Sequence, residues 1–186
     1  MDFLFLQPNL FVFDFPDMIF AFDTYYYGNK AKTVALAFNS WYSSQALEIY
    51  SEILEGVAEY TPGEFYKREL PCILSLLKQI EPSLIDLIIV DSFVFLDDQE
   101  ALGLGGHLYH ALDGAVPVIG VAKTNFATID RKKAQVFRGE SKLPLYITAI
   151  GMDLPEAAEN IRSMHGTFRM PTLLKRLDDF TKDVIS

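Results

Sequence analysis

Apolar residues in this chain fall in short β-branched and aromatic runs, alternating with stretches of helical spacing, and this alternation predicts an order of elements. Met18-Ile19-Phe20-Ala21-Phe22 is the first strand-like run and closes at Asp23. Lys32 to Phe38 and Gln45 to Leu54 follow as strands, separated by the Asn39-Ser40 turn signal and the Trp41-Tyr42-Ser43-Ser44 connection, so three strands form an antiparallel meander. Pro62-Gly63 then opens a helix to about Ile80, with Phe65, Leu70, Ile73, Leu74, Leu76, Leu77 and Ile80 as its apolar stripe. Pro71 inside it is expected to kink or divide the helix, because it lacks an N–H and crowds the carbonyl one turn back. Leu84 to Val90 is the next strand, closed by Asp91, followed by a helix from about Leu102 to Leu112 and a strand from Pro117 to Ala122. Strand, helix, strand at this spacing requires a parallel, right-handed crossover. Ala134 to Arg138 and Leu145 to Ile150 read as a hairpin-like pair, Asp153 as the N-cap of a helix ending near Met164, and Thr172 to Val184 as a last helix after the Pro171 stop.

Three antiparallel strands, then helix, strand, helix, strand, is the order of a ribonuclease H-like α/β fold, a mixed sheet flanked by helices. The 186 residues show no internal repeat and no low-complexity linker, which predicts a single domain over residues 1–186. Cys72 is the lone cysteine, so a disulfide framework and a cysteine-pair zinc site are both excluded, and a reducing, cytoplasmic setting is expected. The apolar stretch from Met1 to Phe22 is broken by Asp2, Pro8, Asp14, Pro16 and Asp17, and reads as neither signal peptide nor membrane span.

A net charge of −9 argues against a phosphate-rich partner until its distribution is considered. Residues 1–121 hold 5 Lys/Arg and 17 Asp/Glu, whereas residues 122–186 hold 11 and 8. Arg131-Lys132-Lys133, Arg138 and Lys142 share one polar connection, and Arg162, Arg169, Lys175 and Arg176 lie in a stretch without an acid between them. Such runs serve either a solvated helix face or a phosphate-binding surface.

Three acids carry the candidate chemistry. Asp23 closes one apolar run, Glu69 lies inside a helix, and Asp91 closes a second run. Carboxylates at the ends of adjacent strands repel one another unless a cation, a proton or a basic side chain neutralises them, and hard oxygen ligands suit Mg²⁺ or Mn²⁺. In the ribonuclease H-like order, acids are offered by the first strand, the first helix and the fourth strand, the elements on which these three fall.

The local motifs resemble those of the endonuclease V family. Phe22-Asp23-Thr24-Tyr25 is similar to the family's first-strand aspartate motif. Tyr60-Thr61-Pro62-Gly63 with Phe65-Tyr66-Lys67-Arg68-Glu69-Leu70-Pro71 resembles its Tyr-Ile-Pro-Gly loop and the helix start that follows. Val90-Asp91-Ser92 stands where the family has Val-Asp-Gly, and Leu102-Gly103-Leu104, Gly106-His107 and Pro117-Val118-Ile119-Gly120-Val121-Ala122-Lys123 match most specifically. Pro144 to Gly151 and Arg169-Met170-Pro171-Thr172 resemble its closing strand and last helix start. The resemblance implies a Mg- or Mn-dependent endonuclease, a hydrolase that cuts a phosphodiester near hypoxanthine in inosine-containing DNA or RNA. It also implies Asp23 and Asp91 as metal ligands, Glu69 at the metal directly or through water, and Lys123 as a catalytic cation. Tyr60, Thr61, Pro62, Gly63 and Gly120 are the implied nucleic-acid contacts.

The chain departs from the family in a short lead before Asp23, in an abbreviated connection between Lys123 and Pro144, and in two motifs. Leu96-Asp97-Asp98-Gln99-Glu100 replaces a His-Pro-Arg cluster, and Gly151-Met152 replaces a Gly-His pair. If Asp97 and Asp98 face the nucleic-acid path, they repel phosphate. A descendant with impaired cleavage that retains nucleic-acid or partner binding is therefore the alternative reading.

Overall fold

The computed structural model describes residues 18–57, 65–126 and 128–184. Seven strands form one sheet in the order β3-β2-β1-β4-β5-β7-β6. β1 (Ile19–Tyr27), β2 (Lys30–Phe38) and β3 (Glu48–Glu55) are the antiparallel meander. β4 (Leu87–Val90) runs parallel to β1 and to β5 (Val118–Ala122), while β7 (Leu145–Ile150) closes antiparallel on β5 and on β6 (Ala134–Val136). The mixed sheet, the crossover and the hairpin-like pair all follow the sequence pattern.

Ile19 to Phe22, Ile88 to Val90 and Val118 to Ala122 are buried on both faces, as continuous apolar runs in central strands require. One face carries α3 (Leu154–Ser163) and α4 (Thr172–Lys182); the other carries α1 (Phe65–Leu77) and α2 (Leu104–Ala111). α1 runs through Pro71 without being divided there. Asp153 precedes α3 as predicted but makes no side-chain capping bond there.

The main difference from the sequence pattern lies in β1. Asp23 does not end that strand, because β1 continues to Tyr27 and turns through Gly28 (φ 55°) and Asn29 into β2. What ends at Asp23 is the pairing with β4, whose last partners are Phe22 and Val90. Asp23 thus emerges where two parallel strands part, and Asp91 is the residue that follows β4 there.

Candidate metal centre

Parallel register with Phe22 opposite Val90 sends the next residue of each strand, Asp23 and Asp91, to the same face of the sheet. Both line a small cavity with Leu174 and Leu177 of α4. Its volume of about 20 Å³ is room for roughly one water. Asp23 accepts a hydrogen bond from the Thr181 hydroxyl at 3.0 Å. Burial pushes its carboxyl above the usual range, the charge of Asp91 adds to this, and the Thr181 bond opposes both.

Asp91 is held through the turn that follows it. Ser92 to Val94 folds across β5 at Gly120, where a Cβ would stand 2.4 Å from the Ser92 carbonyl oxygen and 2.6 Å from Thr148 Oγ1. The Val94 N–H donates to that Thr148 oxygen at 2.8 Å. Gly120 is therefore a buried packing residue beneath the Asp91 turn, a correction to its expected contact with nucleic acid. Tyr60, Thr61, Pro62 and Gly63 lie outside the described residues.

Glu69 is only 2 % exposed and sits on the buried stripe of α1 with Cys72, Ile73 and Leu76, at a position where helical spacing calls for an apolar side chain. Its carboxyl is held well above the ordinary range, first by burial and then by the charges of Asp23 and Asp91. Lys123, just beyond β5, donates to Asp91 Oδ2 at 2.8 Å and lies 3.6 Å from Asp178 Oδ1. Burial would favour the neutral amine, but Asp91, Asp178 and Asp23 outweigh it and raise the Lys123 pKa.

Asp178 was not singled out by the sequence pattern, because one acid on an amphipathic terminal helix carries no motif. Its carboxylate is kept charged, against the cost of burial, by Lys182, Lys123 and Lys175. Arg169 secures the same corner: its guanidinium donates to the Pro144 carbonyl at 2.6 Å and also to the carbonyl of Lys123.

The basic and acidic runs find each other rather than a ligand. Asp98 Oδ1 accepts from three successive backbone amides, Asp130, Arg131 and Lys132, at 3.1, 2.8 and 3.1 Å, and Lys132 pairs with Glu100. Asp97 Oδ1 accepts from the Gln99 and Ala101 amides at 3.0 and 2.9 Å. These acids bind backbone donors and organise the basic loop. Arg138 is likewise internal, its guanidinium donating to the carbonyls of Arg162, Met164, Gly166, Phe168 and Arg169. His107 stacks on Tyr66 with centroids 3.6 Å apart, which joins α2 to α1.

Among the described residues no three His, Cys, Asp or Glu side chains stand close enough together to enclose a metal ion as they are placed. The donor chemistry nevertheless suits a hard cation. Asp178 is offset by Lys175 and Lys182, Lys123 pairs with Asp91, and Glu69 feels the charges of Asp23 and Asp91. Asp23 and Glu69 are raised first by burial and then by neighbouring carboxylate charge, which a bound cation would relieve.

A ribonuclease H-like sheet with an acidic centre where its parallel strands part is the architecture that sequence and geometry define. The family model of endonuclease V matches residues 9–177, and the chain belongs to the endonuclease V family. No curated protein matches it by sequence. Among solved structures, endonuclease V from Streptomyces avermitilis is 20% identical with a TM-score of 0.70, over 89% of this chain and 79% of that one. Human ENDOV is 20% identical with a TM-score of 0.70, over 90% and 84%. Ciona intestinalis endonuclease V, in complex with a 24mer DNA containing an inosine followed by a ribo-adenosine, is 16% identical with a TM-score of 0.74, over 89% and 84%. At these identities the likeness is one of fold. No helix among the described residues is long and apolar enough to cross a membrane.

Proposed function

We propose that this chain is a Mg²⁺- or Mn²⁺-dependent endonuclease that cuts a phosphodiester near hypoxanthine in DNA or RNA, in repair or RNA processing. The observation that carries the reading is the Asp23–Asp91 pair on one face, with Glu69 buried beside it and Lys123 on its rim. Support for the substrate class comes from the inosine-containing DNA bound by the Ciona intestinalis protein.

Asp23 and Asp91 would hold the cation, with Glu69 as the third acid. When bound, the ion supplies a Lewis acid at the phosphate and a site for water. The chain's own groups do the rest. Thr181 orients Asp23 and favours its charged form. Glu69, whose neutral form is favoured first by burial and then by the charges of Asp23 and Asp91, is the acid placed to exchange a proton at the centre. Lys123 offers positive charge at the rim, where charge accumulates on a phosphate undergoing attack.

A second reading, strand binding without turnover, draws on the Lys123 ammonium between Asp91 and Asp178, which already neutralises part of the centre. Incubating inosine-containing and inosine-free DNA and RNA strands, single and double, with Mg²⁺, Mn²⁺ or chelator separates the two. Metal-dependent cuts near inosine establish the nuclease; binding without cuts under every metal condition establishes the alternative.

A further inference from the structure

Beside the acidic centre lies a groove of about 660 Å³ that no step above uses, lined by Glu140, Ser141, Thr167, Phe168, Arg169 and Met170. Its size falls in the range of ligand-binding clefts. Phe168 is 79 % exposed, and Phe137 and Leu143, at 54 % and 64 %, flank the loop that forms the other wall. Large apolar side chains held in water together on two adjoining loops indicate a contact surface.

The groove is built rather than incidental. Gly139 (φ 58°) lies against the Thr167 carbonyl so closely that a Cβ would stand 2.1 Å from it. Arg138 fastens both loops by donating to five carbonyls between Arg162 and Arg169. Rigid walls lower the ordering cost of binding. Arg169 links the groove to the centre, since the residue that lines it also donates to the Lys123 carbonyl.

We propose that this groove is a subsite for unpaired nucleic acid flanking the scissile phosphate, with a base stacked on Phe168 and a backbone phosphate near Lys142. The proposal rests on the nuclease reading above. Position favours this occupant: the groove shares Met170 with the cavity at Asp23 and Asp91, and the exposed Lys142 follows its lining residue Ser141 in sequence. Glu140 repels phosphate but accepts a hydrogen bond from an exocyclic base amine, which sets the base over the groove and the phosphate at Lys142. Aromatic faces beside positive charge are how single strands are held without sequence reading.

The test is fluorescence polarisation of labelled 15-residue oligodeoxycytidylate and oligocytidylate in chelator, so that binding is read without cleavage. Phe168→Ala is expected to weaken binding of both by roughly 5- to 100-fold, and Phe168→Trp to restore it. Lys142→Ala is expected to flatten the salt dependence by about 0.7 in the log–log slope. Wild-type affinity in Phe168→Ala overturns the proposal while leaving the nuclease reading intact, provided the wild-type protein binds and cuts. A wild-type protein that binds neither oligomer in chelator overturns the subsite and leaves the nuclease reading to the metal-dependent cleavage assay. Sedimentation of the free protein covers the remaining occupant: a dimer that Phe168→Ala converts to monomer makes this face a contact between copies and overturns the subsite.

Discussion

Thr181, in the last turn of α4, shares its single hydroxyl proton between Asp23 Oδ2 at 3.0 Å and the Asp178 carbonyl at 2.9 Å. A residue of α4 thus orients a carboxylate on β1. Removing that donor favours protonated Asp23. Thr181→Val should move the acid limb of the cleavage pH profile upward and raise the Mg²⁺ concentration needed for half-maximal rate at mildly acidic pH. Thr181→Ser should restore both. A pH profile unchanged in the valine variant would show that the bond has no bearing on Asp23.

Repulsion at the centre predicts a stability gain when charge is removed. Glu69 and Asp23 both have raised pKa values in the folded chain, so the folded state binds more protons, and their contribution is greatest below about 4 and lost as pH rises through the raised values. Glu69→Gln should therefore raise the melting temperature at neutral pH and abolish cleavage. About 1 kcal/mol is worth roughly 2 to 4 °C in a chain of this size. Thermal scans between about pH 5 and 8 check the sign; a glutamine variant that melts lower at neutral pH would contradict it.

Divalent metal should reverse the same repulsion. Mg²⁺ or Mn²⁺ is expected to raise the wild-type melting temperature, by an amount that reaches about 2.7 kcal/mol at a hundredfold excess over Kd. Asp91→Asn should lose this response together with cleavage, because a ligand charge is gone while the shape remains. Equal metal responses in the two proteins would place the ion elsewhere.

Lys123→Ala should slow cleavage by roughly 10²-fold or more, the scale of losing one electrostatic stabiliser. Its loss also removes the ammonium paired with Asp91. If Lys123 merely blocks the centre, the alanine variant will instead bind metal more tightly and cut at least as fast.

Asp98→Asn should lower the melting temperature and leave strand affinity unchanged, since the carboxylate serves three backbone amides rather than facing a phosphate. Those amides hold its pKa low against the cost of burial, so its contribution is present above the ordinary carboxylate value of 3.8 and disappears as pH falls through the lowered value. Tighter nucleic-acid binding at low salt in this variant would return Asp98 to the phosphate path.

Local patterning determined most of the fold. Continuous apolar runs specify central strands, and periodic spacing specifies helices, because each pattern must bury its apolar face. Glu69 was legible as an acid on a helix, and in the fold it proves to interrupt the buried stripe. Asp23 and Asp91 were legible from their neighbours, but the reason they meet was not: β1 extends past Asp23, and only the parting of β1 from β4 places the two side by side. Tertiary structure alone decided the partners of charged groups. Asp98 and the Arg131–Lys133 run, Arg138 and its five carbonyls, and Lys123 between Asp91 and Asp178 are contacts across 24 to 55 residues of sequence. A charge can be read from sequence, but its partner depends on which chain segments the sheet order brings together.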